Sequence, residues 1–124
     1  KNGTAWRAAR KLIDIGEQYG VRQGFAVDAL LDDLSMQEAG SRLWPQTERL
    51  KAAALAAALT GERRYWISTA DAAKGLLRYL DTPTPGLWHD RRTAEGVFLA
   101  EPAPASSFYH IVAAIQALSE ALRA

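Results

Sequence analysis

His110 is the residue best placed to do chemistry. It follows Pro102-Ala103-Pro104-Ala105-Ser106-Ser107-Phe108-Tyr109, where two prolines and two serines precede a long apolar-periodic run. That pattern predicts a helix start, with Ser106 or Ser107 as the candidate cap. His110 then falls in the first turn, where orphan backbone N–H groups and the positive end of the helix dipole disfavour imidazolium. A neutral imidazole in that place is a competent general base near pH 7. The same residues also fit a capping or core histidine.

Composition limits the chemistry further. A chain of 124 residues is one domain or part of a larger one, and 48% apolar residues suffice for a packed core. A net charge of +1 gives no reason to expect nucleic acid or an anionic membrane as partner. Without cysteine there is no disulfide framework, thiol nucleophile or thiolate metal site, and a reducing, cytoplasmic setting is expected. No apolar run approaches the length of a membrane span. The opening Lys1-Asn2-Gly3-Thr4 resembles neither a signal peptide nor a translation start, so a piece of a longer protein is expected.

The elements that must position His110 are mostly helices. A first helix is predicted from Thr4 to Tyr19, with Ala5, Ala9, Leu12, Ile13 and Gly16 on one face and Arg7, Arg10, Lys11, Asp14 and Glu17 on the other. Residues 21–43 read as a short hairpin or ordered loop. Trp44-Pro45 opens a second helix that runs to Leu59 and stops at Thr60-Gly61. After Lys51 it has no polar residue before Thr60, so close neighbours are expected on several sides. Glu48 shares a face with Ala52, Leu55 and Leu59 and is expected to point inward. A third helix, about Glu62 to Leu80, presents Trp66, Ala70, Ala73, Leu77 and Leu80 as its apolar stripe.

Asp81-Thr82-Pro83-Thr84-Pro85-Gly86 ends that helix and begins a long loop, whose aromatic and apolar content argues for order. The fourth helix starts near Ser107, with Ile111, Ile115, Leu118 and Leu122 as one stripe and His110, Ala114, Ala117 and Ala121 as a second, small one. Wet-sided and enclosed helices thus alternate, each enclosed helix preceded by a long loop. This predicts an all-α fold of repeated antiparallel hairpins, an α/α solenoid or a closed α/α barrel. Both long loops then share one end, where Trp44, Glu48 and His110 converge.

Two segments carry a resemblance. Arg42-Leu43-Trp44-Pro45-Gln46-Thr47-Glu48 with Lys51-Ala52, and Pro102 to Ile111 with Gly86-Leu87-Trp88-His89-Asp90 between them, are similar to the C-terminal part of the N-acylglucosamine 2-epimerase superfamily. The bacterial mannose isomerase and mannose-6-phosphate-isomerase-like branch is nearest. The resemblance implies that residues 1–124 are the C-terminal fragment of a single (α/α)6-barrel domain about three times this length. It implies isomerisation or epimerisation of a sugar at C2 with no metal and no cofactor.

His110 would be the catalytic acid/base, with Trp44, Glu48 and Ser106 on the substrate. The implied partners are a monosaccharide or sugar phosphate and the missing N-terminal part of the barrel; a homodimer is left open. The family's second catalytic histidine, in a Gly-His-x-x-Glu segment, and its substrate-positioning arginine lie in earlier segments with no counterpart here. The remaining histidine, His89, fits neither position.

Competing signals are weak. One histidine and one aspartate at His89-Asp90 do not make a metal ligand set. Arg91-Arg92 reads as a solvated loop pair, with a clamp on a sugar phosphate as the other reading. A non-catalytic α/α module that binds carbohydrate or protein is the alternative function.

Overall fold

A computed structural model describes residues 3–124. It is helix-rich, with α1 (Gly3–Tyr19), α2 (Leu43–Thr60), α3 (Arg63–Leu80) and α4 (Ser107–Arg123). Six strands of two or three residues complete it: β1 (Val21–Arg22), β2 (Phe25–Ala26), β3 (Ala29–Leu30), β4 (Met36–Glu38), β5 (Ser41–Arg42) and β6 (Arg91–Arg92). They pair antiparallel as β1–β2, β3–β4 and β5–β6. No helix among the described residues is long and apolar enough to cross a membrane.

The segment 21–42, ambiguous from its pattern, therefore holds two hairpins. Gln23 and Gly24 both have positive φ, at 54° and 85°, which is the geometry a two-residue hairpin turn needs to match strand twist. This turn sits against α3. A Cβ on Gly75 would lie 2.8 Å from the Gly24 carbonyl oxygen, so only glycine allows the approach.

Helix α2 is the centre of the fold. Leu43, Gln46, Thr47, Leu50, Ala53, Ala54, Ala56 and Ala57 are all buried, and α2 packs against both α3 and α4. Leu50 joins Leu43, Phe25, Ala72, Leu76, Tyr79, Ile111 and Ala114 in one core, with Phe98 and Trp88 packed on it from the long loop. Ala56, Ala57 and Tyr65 form a second cluster that receives Trp6 and Ile13 of α1.

Two faces differ from the periodicity reading. The buried side of α3 is Tyr65, Thr69, Ala72, Gly75, Leu76 and Tyr79, while Leu77 and Ala70 are exposed. The two tyrosines go inside because their hydroxyls find partners: Tyr65 donates to Asp14, and Tyr79 to the Ser41 carbonyl at 2.9 Å. On α4 the buried residues come from both stripes, Ile111 with Ala114 and Ala121, while Ile115 and Leu122 are exposed.

The loop 81–106 is ordered by pairing. β6 lies beside β5, with Ser41 opposite Arg92, and the Leu43 N–H donates to the Asp90 carbonyl at 2.8 Å. The His89 N–H donates to the Tyr79 carbonyl at 2.8 Å. The start of α2, the end of α3 and the start of α4 thereby gather at one end of the structure.

Burial pushes the Tyr79 hydroxyl up to about 12 from 10.0, against the opposing bond to Ser41. A raised value means that the neutral tyrosine stabilises the fold fully below pH 10, and that this contribution is lost as pH rises through about 12. Tyr79→Phe is expected to cost about 1–3 kcal/mol in denaturant unfolding at neutral pH, because a buried carbonyl loses its donor. The variant should also lose the tyrosine-linked fall in stability at high pH; an unchanged alkaline profile would contradict the assignment. Leu12, Leu55, Leu59, Val112, Ile115 and Leu122 are exposed apolar side chains on three helices. Expressed by itself, the chain is therefore expected to self-associate in size-exclusion chromatography with light scattering. A monodisperse monomer that melts cooperatively would overturn that.

Candidate active site

The start of α2 is fixed by side chains behind it. The Gln46 amide accepts from the Ala26 N–H and donates to the Ala26 and Arg42 carbonyls, each at 2.8 Å, which joins hairpin β1–β2 to the first turn of α2. Asp28 accepts the Arg42 N–H at 2.7 Å. Burial raises the Asp28 carboxyl above its ordinary value, although the Arg42 N–H and guanidinium pull the other way. With the backbone so held, Trp44 projects outward at 48% exposure.

Glu48 lies one turn further along α2, and α4 brings His110 to it. The His110 Nδ1 is 3.1 Å from Glu48 Oε1, and its ring centroid is 6.5 Å from that of Trp44 at an interplanar angle of 41°. Tyr109 stacks obliquely on the imidazole at 4.4 Å. The structure thus brings Trp44, Glu48 and His110 together, as the shared end of the helices requires. Lys51 Nζ reaches the same Glu48 Oε1 at 2.8 Å. Burial alone would raise the Glu48 carboxyl, but the hydrogen bonds and charges of Lys51 and His110 hold it below the usual carboxylate range. Glu48 is not enclosed in this chain: its side chain is 42% exposed, beside the uncovered Leu55 and Leu59.

The protonation pattern follows from this geometry. An ionised carboxylate only accepts, so the proton of a neutral His110 sits on Nδ1 and its lone pair on Nε2. When Nε2 takes a proton, Glu48 stabilises the imidazolium.

Ser106 has helical backbone angles at the N-cap of α4, is exposed, and makes no capping bond. It stands one turn before His110 on the same side of the helix. Ser107 does not cap either; it is buried, with its Oγ 3.4 Å from Asp90 Oδ1. The helix instead begins from a turn in which Ser107 and Phe108 N–H groups donate to the Pro104 and Ala105 carbonyls.

The competing residues have internal partners. His89 stacks on Phe98 at 4.8 Å. Arg91 forks onto Glu101 at 2.6 and 2.8 Å, while Arg92 donates to Gln23 and lies 4.2 Å over the Phe25 ring. Neither guanidinium is presented as an open phosphate clamp. Among the described residues, no group of three or more His, Cys, Asp or Glu side chains is placed to hold a metal ion.

Cavities flank the triad without enclosing it. One of about 400 Å³ lies between α1, the hairpins and α2 and is lined by Leu12, Val27, Asp28, Leu30 and Glu48. A smaller one of about 210 Å³ is lined by Asp28, Glu38, Arg42 and Trp44. A larger, apolar cleft of about 660 Å³ between residues 82–89 and 99–105 contains none of the three. Sequence reasoning gave Lys51 no role, although its i, i+3 spacing from Glu48 was the available signal. Nothing in the pattern marked Asp28 or Tyr109.

Comparison with known proteins supplies the context. The chain is 48% identical over 127 aligned positions to a protein named mannose-6-phosphate isomerase from Rhizobium meliloti (strain 1021), an alignment that covers 98% of this chain and 33% of that one. The chain therefore spans about a third of that relative's length. No solved structure gives a significant match. The sequence profile of the N-acylglucosamine 2-epimerase (GlcNAc 2-epimerase) family matches residues 1–114. This chain, nearly all of it under that profile and with Trp44, Glu48 and His110 at one end, belongs to the N-acylglucosamine 2-epimerase family.

Proposed function

We propose that the chain forms the C-terminal part of an (α/α)6 barrel that isomerises or epimerises a sugar at C2, with His110 as one acid/base group. The observation that carries this is the Glu48–His110 hydrogen bond beside an exposed Trp44. It leaves Nε2 as the basic atom and directs it away from the carboxylate. Membership of an epimerase family and a relative named as an isomerase support the reaction class.

The chemistry suits such a base. The C2 hydrogen of an open-chain aldose is weakly acidic because the adjacent carbonyl can take up the charge as an enediolate. His110 Nε2 exchanges one proton with the substrate carbons, and the resulting imidazolium is stabilised by Glu48. Delivery of the proton to C1 gives the ketose, and delivery to the opposite face of C2 gives the epimer. Trp44 packs on the apolar face of the sugar, and Ser106 donates to a hydroxyl.

A second proton-transfer group and a substrate-positioning arginine come from the rest of the barrel in this reading. His89 does not serve, since it is stacked on Phe98 in the loop. The exposed apolar faces of α2 and α4 are the surfaces that the remaining helices cover.

In the intact protein, His110→Gln is expected to lower kcat on mannose or an N-acylglucosamine by about 10²- to 10⁴-fold, with little change in KM. Glu48→Gln should cause a smaller loss in the same parameter, because its amide can also donate and so stabilise the wrong tautomer. Hydrogen–deuterium exchange at C2 in D₂O should fall in step with turnover. Wild-type turnover from His110→Gln would end the acid/base assignment, whereas sugar binding without any turnover by the intact wild-type protein would favour a binding module.

A further inference from the structure

Glu48 is held from two sides. Its Oε1 accepts from His110 Nδ1 at 3.1 Å and from Lys51 Nζ at 2.8 Å, so one oxygen atom serves both partners. His110 stands on α4, whereas Lys51 is on the same helix as Glu48, three residues on, and only 27% of its side chain is exposed. From these contacts we propose that Lys51 is a positioning residue for His110, acting through Glu48 to fix the carboxylate and to limit its pull on the imidazole proton. This rests on the acid/base role of His110 argued above.

Two consequences of the geometry support it. A half-exposed glutamate has three side-chain torsions free to wander, and a second bond to Oε1 restricts them to the rotamer that meets Nδ1. The second consequence is electrostatic. A lone carboxylate in contact with Nδ1 would favour the charged imidazole and leave it a poor base, since a working acid/base must pass readily between its two forms. The ammonium on the same oxygen offsets part of that negative charge.

The other ionisable groups around His110 do not substitute for Lys51. Glu48 and Lys51 face it from α2, Tyr109 is the neighbour on its own helix, and Asp90 of the long loop is engaged one turn earlier with Ser107. Lys51 is the cation in this set.

The test uses the intact protein with Lys51→Met, which keeps the aliphatic stem, and Lys51→Arg, which keeps the charge. Two readouts are taken: the pH profile of kcat/KM, and the ¹⁵N-imidazole NMR titration of His110, assigned by its loss in His110→Gln. Lys51→Met is expected to move both midpoints upward by about 0.3 to 1 pH unit, an effect limited by solvent screening of a partly exposed pair. Turnover at neutral pH should fall by about 2- to 10-fold, and Lys51→Arg should restore both. In a Glu48→Gln background, Lys51→Met should produce a clearly smaller upward shift, because only the direct repulsion between ammonium and imidazolium remains.

An unmoved His110 midpoint in Lys51→Met, or an equal shift that persists without Glu48, would overturn the proposal. Failure of the acid/base reading looks different. His110→Gln would then keep its turnover, while the NMR titration would still report whether Lys51 acts on the imidazole.

Discussion

Everything at this site depends on how closely α2 can be approached. Its buried residues are Leu43, Gln46, Thr47 and Leu50 in the first half and alanines in the second, and α3 and α4 both pack against it. Close-packed interiors of this kind have few alternative arrangements. Helix packing therefore sets the backbone positions from which Glu48 and His110 reach each other, and the bonds to Glu48 Oε1 hold the side chain in place. The ion cluster beneath adds to this rigidity. Arg49, only 8% exposed, bonds Glu17 of α1, Asp71 of α3 and the Gly24 carbonyl of the first hairpin. One guanidinium so ties three elements to the helix that carries the site, and its five donors in a planar fork suit that task.

Opposed charges meet beside the imidazole: the Glu48 carboxylate faces Nδ1, and the Lys51 ammonium contacts the same carboxylate oxygen. In the proposed acid/base role, such opposition suits a group that takes up and releases a proton in each cycle. Trp44 adds an apolar wall next to the imidazole without adding charge. The partial exposure of all four side chains leaves room for the rest of the proposed barrel to cover them.

Much of the helical frame was legible in the sequence. Gly61 and the proline-rich run after Leu80 mark helix ends by their backbone chemistry, and Pro102 to Ser107 mark the start of α4. The convergence of Trp44, Glu48 and His110 followed from the alternation of enclosed and wet-sided helices. What periodicity missed was governed by particular partners. Tyr65 and Tyr79 lie outside the apolar stripe read for α3, and they are buried because Asp14 and Ser41 give their hydroxyls bonds inside the protein. Strands of two residues have too little pattern to see. Ser106 and Ser107 were natural caps by type, but the turn at Pro104-Ala105 satisfies the first N–H groups with backbone oxygens instead.

The pairing of β5 with β6 has a meaning for the entropy of the chain. Glu48 and His110 are 62 residues apart, and closing a loop of that length without help would remove a large share of conformational freedom for one hydrogen bond. The antiparallel turn from α2 into α3 and the β5–β6 ladder act as intermediate closures. Once Ser41 lies opposite Arg92, only the short remainder of the loop separates α4 from the helix it must meet. Two residues of strand thus shorten a long-range encounter, and the Glu48–His110 contact forms across a loop far shorter than the sequence separation implies.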